Sequence, residues 1–421
     1  MSPGAVEQQP RSELRCRYAA NALLALSFAF DLILVMNFGL LHEVKQFAPQ
    51  EFEFVKQIAW LQSLLANLSW NDTRTFGGPL GAGFAFWLFT ALISMPLRGH
   101  ATLMVLFLRL VFVAMKYAAV YIVYKRLYLL SARPLFALLV LCFLLAVPAY
   151  VFDGNVLGPQ YAVMLLLAVG WDALFNLQSR AQMRAALFFM LAAAVQINVL
   201  AMVAMLFPAL FMAHGRRDRV RYAADWVIGA IIPVVLMIFS YHPLDDLLGF
   251  GQNGPVTYAF ENLYKWYVFD AARNADSALM GGWGVDFLIW PMFAVFFGFA
   301  VYADLKPRGS IVSQSWTPYE KHLVIWTFYA ASFACFLTSF VAPINPWIVF
   351  APFLLLVAGG SLLIGLERSG TDVMMLFVLI YVALFGMRDI IRWDHRIQRF
   401  ESFVARESVT KNESVIKKKE P

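Results

Sequence analysis

Long apolar stretches, each close to the length that crosses a bilayer, fill most of this 421-residue chain. Hydrophobic residues make up 61% of it and charged residues only 14%, whereas soluble domains carry about 25% charged residues. A hydrocarbon layer of ~30 Å requires about 20 apolar residues in a helix, and backbone groups inside it must pair within their own segment. The sequence therefore predicts an all-α fold, a polytopic transmembrane helical bundle of about 10–12 spans.

The apolar runs also define the domain organisation. We predict a cytoplasmic N-terminal segment at 1–18, a transmembrane domain at 19–388 and a charged C-terminal tail at 389–421. The predicted apolar runs are 19–41, 79–97, 101–124, 134–152, 160–177, 185–213, 222–241, 284–303, 320–341, 346–365 and 371–387. The run at 185–213 contains polar Gln196 and Asn198, so it forms either one tilted helix or two short ones.

Clusters of basic residues orient the spans, because cytoplasmic loops are enriched in Lys and Arg. The first clusters lie at 125–133, 180–184 and 216–221. They share the side of the N-terminus only if 79–97 does not cross the membrane completely. This orientation makes 42–100 and 242–283 outer loops. Simple counting then puts the tail outside, although its basic residues favour the cytoplasm.

Within the first outer loop, apolar residues between Phe52 and Leu68 recur at helical spacing. This pattern predicts an interfacial or juxtamembrane helix, half buried among lipid headgroups. The net charge of +6 comes from short basic clusters between the spans, so it fits membrane lipids as partners and gives no indication of nucleic-acid binding. The three cysteines are far apart and predict neither a disulfide framework nor a metal site.

The polar side chains that can carry chemistry lie in the outer loops. The first loop contains the acids Glu43, Glu51, Glu53 and Asp72. In the second loop, cationic and aromatic side chains lie close together in sequence: His242, Lys265, Trp266, Tyr267 and Arg273. Aromatic rings stack on sugar faces and carboxylates accept hydroxyl protons, so this composition suits sugar binding. The alternative is an aromatic belt at the membrane interface.

The layout resembles the GT-C superfamily of integral membrane glycosyltransferases. A first span is followed by a large outer loop with acids, in Glu51-Phe52-Glu53, and by Phe76-Gly77-Gly78-Pro79-Leu80 where the family has a Gly-Pro-Leu-like element. Asp153-Gly154-Asn155 resembles the family's second outer loop, and 343–347 (Pro-Ile-Asn-Pro-Trp) is similar to its late turn. Three positions depart from the pattern: Glu51 and Glu53 stand where the family usually has Asp, and Gln196 stands where it often has Lys.

The resemblance implies transfer of a hexose or pentose from a polyprenyl-phosphate donor to a lipid or glycan acceptor. A carboxylate, Glu51 or Glu53 and next Glu43 or Asp72, would take the acceptor proton. His242, Lys265 and Arg273 would neutralise the leaving lipid phosphate, with Trp266 and Tyr267 binding the sugar. Asp153 would orient the acceptor or help hold a divalent metal ion, which the chemistry allows but does not require. The compact chain favours a bacterial inner membrane.

Four charged residues lie inside apolar runs, where ionised groups are costly and are functional candidates by default. Arg109 and Lys116 are seven residues apart and share a helix face, so they either pair with Asp31 and Asp172 or bind a lipid phosphate. Lys116 has a third option, snorkelling to the interface.

Buried charges are also typical of another class, a transporter or flippase for a lipid-linked or anionic substrate. That class usually shows paired halves, and no internal repeat is evident in this sequence. An O-antigen polymerase or ligase-like enzyme is a further alternative, although its major loop usually comes late in the chain. A non-catalytic membrane partner is the last.

Overall fold

The computed structural model describes residues 11–40, 49–67, 83–130, 158–196, 199–240 and 317–341, with five further positions between 137 and 145. These residues form helices and short turns, so the predicted all-α fold is confirmed. Nine α-helices have described bounds: α1 Arg11–Leu40, α2 Pro49–Asn67, α3 Phe84–Ile93, α4 Ala101–Leu130, α5 Gln160–Leu174, α6 Ser179–Val195, α7 Val199–Ala213, α8 Arg216–Ser240 and α9 Pro318–Val341.

Three of the described helices are long and apolar enough to cross a membrane. These stretches are Glu13–Ile33, Ala101–Leu130 and Asp218–Ile238, and they agree with the predicted spans at 19–41, 101–124 and 222–241. The runs at 284–303, 346–365 and 371–387, most of 134–152, and the C-terminal tail fall outside the described residues.

The run at 79–97 contains only a short helix. Helix α3 has ten residues and therefore rises about 15 Å, half of the ~30 Å hydrocarbon thickness. A 3-10 turn, Met95–Leu97, follows it, and Gly99 then takes a positive φ of 89° that only glycine adopts easily. This turn leads directly into α4, so the helical part of the run does not cross a bilayer.

Helix α4 is the axis of the described bundle. It packs against α1 on one side and against α5 on the other, α5 packs against α6, and α6 packs against α8. Helices α1 and α4 run antiparallel, because Tyr128 donates a hydrogen bond to Glu13 near one end while Lys116 contacts Asp31 eighteen residues further along α1. Helix α7 packs mainly against α9.

One end of the bundle collects the basic clusters, and we call it the basic end. Arg126 of α4 bonds to Asp172 at the end of α5, and Ser179 at the start of α6 bonds to Asp225 of α8. The Tyr319 hydroxyl of α9 donates to the Leu174 carbonyl at 3.0 Å. These contacts bring 125–126, 180–184 and 216–221 to one end, as the charge pattern predicted.

The run at 185–213 forms two short helices, the second of the two predicted arrangements. Helix α6 rises from the basic end, and α7 returns to it, since His214, just after α7, packs its ring against Tyr319 at 5.6 Å. Gln196 ends α6 in an extended conformation with φ −147° and ψ 111°. Positions 197 and 198 are not described.

We expect Gly229→Ala to destabilise the α6–α8 contact. A Cβ at Gly229 would lie 2.4 Å from the Met183 carbonyl oxygen and 2.9 Å from the Ala186 Cβ, so the two helices would have to separate. Overpacking of this kind costs about 1–3 kcal/mol, and thermal unfolding in detergent measures it. Gly215→Ala is the matched control, because its Cβ would meet only the Asp218 carboxylate at 3.6 Å. Equal melting temperatures for the two variants would contradict this packing.

Candidate functional site at the middle of the bundle

Two of the predicted catalytic acids lie in the described part of the chain. Glu51 and Glu53 fall in the first turn of α2, whose backbone is described there and whose side chains are not. The remaining predicted site residues lie outside the described residues: Glu43, Asp72, Asp153, His242, Lys265, Trp266, Tyr267 and Arg273. The structure therefore gives the helical backbone that carries Glu51 and Glu53, and every catalytic and binding assignment remains a prediction.

Helix α2 buries the apolar face that its sequence predicts. Phe54, Ile58, Leu61 and Leu64 are buried and recur at helical spacing. A polar contact that the sequence analysis did not single out fixes the other end of the helix. The Gln62 amide donates to the Ser94 hydroxyl at 3.0 Å and to the Ala91 carbonyl at 3.3 Å.

Aromatic packing sets the direction of α2. The Phe54 ring lies 5.5 Å from that of Phe86 and 4.6 Å from that of Trp87, and Phe86 stacks on Phe112 at 5.6 Å. At the other end of α2, Gln62 approaches the Met104 sulfur at 3.9 Å. From Phe54 to Gln62 the helix therefore passes from the level of Phe112 to the level of Met104.

This direction differs from that of a helix lying flat among headgroups, because α2 runs along α3 and α4. The bonds of Gln62 hold its last turns near the start of α4, and its first turn points toward the middle of α4. Glu51 and Glu53 precede Phe54 by less than one turn. The axis of α2, followed back from Phe54, leads to the level of α4 between Phe112 and Lys116.

Several helix ends meet at this level, and we call the region the helix-end junction. The Gly83 amide at the start of α3 donates to the Val195 carbonyl at the end of α6 at 2.8 Å. Tyr161, in the first turn of α5, lies beside Lys116, whose Nζ is 5.8 Å from the ring centroid. Helix α7 starts here too, since the Val199 amide donates to the Gln196 carbonyl at 3.1 Å.

The junction has a defined electrostatic character. Four of its helix ends, those of α2, α3, α5 and α7, are N-termini, which carry partial positive charge. Helices α3 and α5 begin at Gly83 and Pro159 without a side-chain cap, so backbone N–H groups of their first turns are not capped. Arg109, 5% exposed, lies one turn before Phe112 on α4. This combination favours negative charge.

A buried ion pair joins α1 to α4 beside the junction. Lys116 Nζ lies 2.6 Å from Asp31 Oδ2, and the two side chains are 2% and 4% exposed. The Tyr117 hydroxyl donates to the same carboxylate oxygen at 2.9 Å. Pairing, one of the options predicted for these charges, is confirmed here, and Lys116 does not snorkel.

The depth of this pair follows from helix geometry. Lys116 and Arg126 are ten residues apart on α4, which is about 15 Å along the helix axis. With Arg126 taken as the membrane edge, Lys116 and Asp31 lie at half of the ~30 Å hydrocarbon thickness. The pair is therefore near the middle of the bilayer.

The predicted pairing of Asp172 with Arg109 or Lys116 was wrong. Asp172 Oδ1 accepts a hydrogen bond from Arg126 Nε at 2.6 Å, and the Arg126 guanidinium lies 4.9 Å from the centroid of the Phe175 ring. Arg126 belongs to a basic cluster at the end of the apolar run, so its sequence position indicated a solvated cation. The parallel course of α4 and α5, which also places Tyr161 beside Lys116, brings the two residues together.

In the part of the chain that the structure describes, no three His, Cys, Asp or Glu side chains come together as a metal-ligand set. Comparisons with protein-family models and with curated proteins find no match. The function is therefore inferred from the residues of this chain.

We expect Gln62→Leu to loosen α2. The change leaves the Ser94 hydroxyl and the Ala91 carbonyl without their donor and costs about 1–3 kcal/mol. Limited proteolysis in detergent should cut between α1 and α4 faster than in the parent. Gln178→Leu is the matched control, because Gln178 is exposed and its side chain caps no helix. Equal cleavage rates for the two variants would contradict an anchoring role for Gln62.

Proposed function

We propose that this chain is a membrane glycosyltransferase. It moves a sugar from a polyprenyl-phosphate donor to a lipid or glycan acceptor at the outer face of the membrane. The observation that carries the proposal is the course of the segment between α1 and α4. Its helix α3 is too short to cross, and its helix α2 is anchored against α3 by Gln62 and Phe54, with Glu51 and Glu53 just before Phe54 in sequence.

The chemistry needs a base beside a site for phosphate. An acceptor hydroxyl is a poor nucleophile, and a carboxylate that removes its proton as the anomeric carbon is attacked accelerates the transfer. Glu51 or Glu53 has this role in our proposal. The leaving lipid phosphate carries negative charge, which helix N-termini and cationic side chains stabilise.

Residues of the two outer loops, together with Asp153 from the turn before the run at 160–177, complete the proposed site. Lys265, Arg273 and His242 bind the phosphate, and Trp266 and Tyr267 stack on the sugar. Asp153 orients the acceptor or, with a divalent metal ion, helps to neutralise the phosphate. Glu43 and Asp72 are the reserve candidates for the base. The proposed location is the inner membrane of a bacterium.

The test is transfer of labelled sugar from a polyprenyl-phosphate donor in membranes containing the parent chain, Glu51→Gln or Glu53→Gln. General base catalysis contributes about 10²–10⁴-fold, so we expect one variant to lose at least about 100-fold in turnover. Glu320→Gln is the control, since Glu320 lies at the basic end in a capping interaction with Thr317 that Gln preserves. Parent-like turnover in both Glu51 and Glu53 variants would contradict the assignment of the base.

One observation favours a second candidate, a transporter or flippase for an anionic or lipid-linked substrate. Discontinuous helices whose ends meet near the bilayer midplane are typical of transporter substrate sites, and α6 and α7 break at this depth. The two functions differ in product. A flippase would move the labelled lipid across a reconstituted vesicle membrane without forming a new glycosidic bond, whereas the proposed enzyme would yield glycosylated acceptor.

A further inference from the structure

Few of the described apolar side chains of helix α1 are buried, although the helix has 30 residues. Among the described helices it packs mainly against α4, and side chains such as Leu26 and Ile33, 70% and 57% exposed, face away from the bundle. Among the α1 side chains that the structure describes, Ala20, Asp31 and Val35 are buried and form a narrow stripe. The charged member of these three is the carboxylate bonded to Lys116 and Tyr117.

Apolar contact alone does not determine which helix packs against which in a bilayer, because lipid chains are as apolar as leucine. Close packing and polar bonds between helices provide the specificity instead. A single Asp or Lys at the centre of a span is costly to insert. A partner of opposite charge on another span offsets that cost only where the two side chains meet.

We propose that Lys116 and Tyr117 form a docking surface on α4 that selects α1 through its mid-span carboxylate and fixes the register of the two helices. Both donors bond to one oxygen, Asp31 Oδ2. A slip of one helical turn, about 5.4 Å, breaks both bonds at once. The Phe28 ring packs edge-on against Tyr117 at 5.2 Å and supports the same register.

This docking role does not depend on the proposed catalytic activity. It makes the buried polar contact the main specific link between α1 and α4, and it assigns the charges of Asp31 and Lys116 to helix recognition. If the ion pair did not direct the packing of the two helices, removing one of its charges would leave the position of α1 unchanged.

Cross-linking between α1 and α4 in membranes tests the proposal. Glu13 and Tyr128, in contact near the basic end, are replaced by Cys in a chain whose Cys16, Cys142 and Cys335 are changed to Ser, and a short bis-maleimide is added. Because this background lacks the Glu13–Tyr128 bond, the yield reports docking through the buried pair. We expect Asp31→Asn and Lys116→Met each to lower the yield about threefold or more.

The charge-swapped variant Asp31→Lys with Lys116→Asp should recover at least half of the parent yield, because the attraction is restored with the charges exchanged. Arg126→Met is the matched control on α4: it breaks the α4–α5 pair with Asp172 and should leave the yield unchanged. Parent-like yields in both single variants, a swap no better than the single variants, or an equal loss with Arg126→Met would each overturn the proposal.

Discussion

The structure depends on the rule that backbone polar groups and ionised side chains inside a bilayer need partners. The rule has its clearest expression in the contact between Asp31 and Lys116, 2.6 Å apart and almost fully buried. It also shapes the backbone: where α6 stops at Gln196, its Val195 carbonyl accepts the amide of Gly83 from another helix. Interrupted helices are stable at this depth because their ends pair with one another.

Contacts of this kind also bring polar helix ends together inside the bundle, although the chain has few charged residues. Helix α3 is too short to cross, so the chain turns at Gly99 and continues into α4. Gln62 holds α2 beside this turn, and Phe54 brings the start of α2 toward Phe112. The result is a set of helix N-termini at the level of the middle of α4, which carries the buried Arg109 and the Lys116–Asp31 pair. This arrangement suits a phosphate-bearing substrate, which both proposed functions share.

Much of the fold could be predicted from local patterns. The apolar spacing from Phe54 to Leu64 indicated α2, the length of the apolar run at 79–97 allowed for a segment that does not cross, and Asp31 and Lys116 stood out as charges within spans. Other features depend on contacts between distant residues. The Arg126–Asp172 pair, the Gln62–Ser94 bond and the steep course of α2 follow from how helices pack, and one sequence gives no signal for them. The acids Glu51 and Glu53 were found from composition, but the direction of the helix that carries them follows only from the aromatic packing of Phe54.

The proposed function requires α2 and the basic end to lie on opposite sides of the membrane. Labelling of single cysteines with a membrane-impermeant maleimide tests it most directly, in a chain free of its natural cysteines. Ser63→Cys on α2 should react when reagent is added outside intact cells, and Arg180→Cys on α6 should react only after the membrane is opened. Reaction of both cysteines from the same side would contradict this orientation of the bundle.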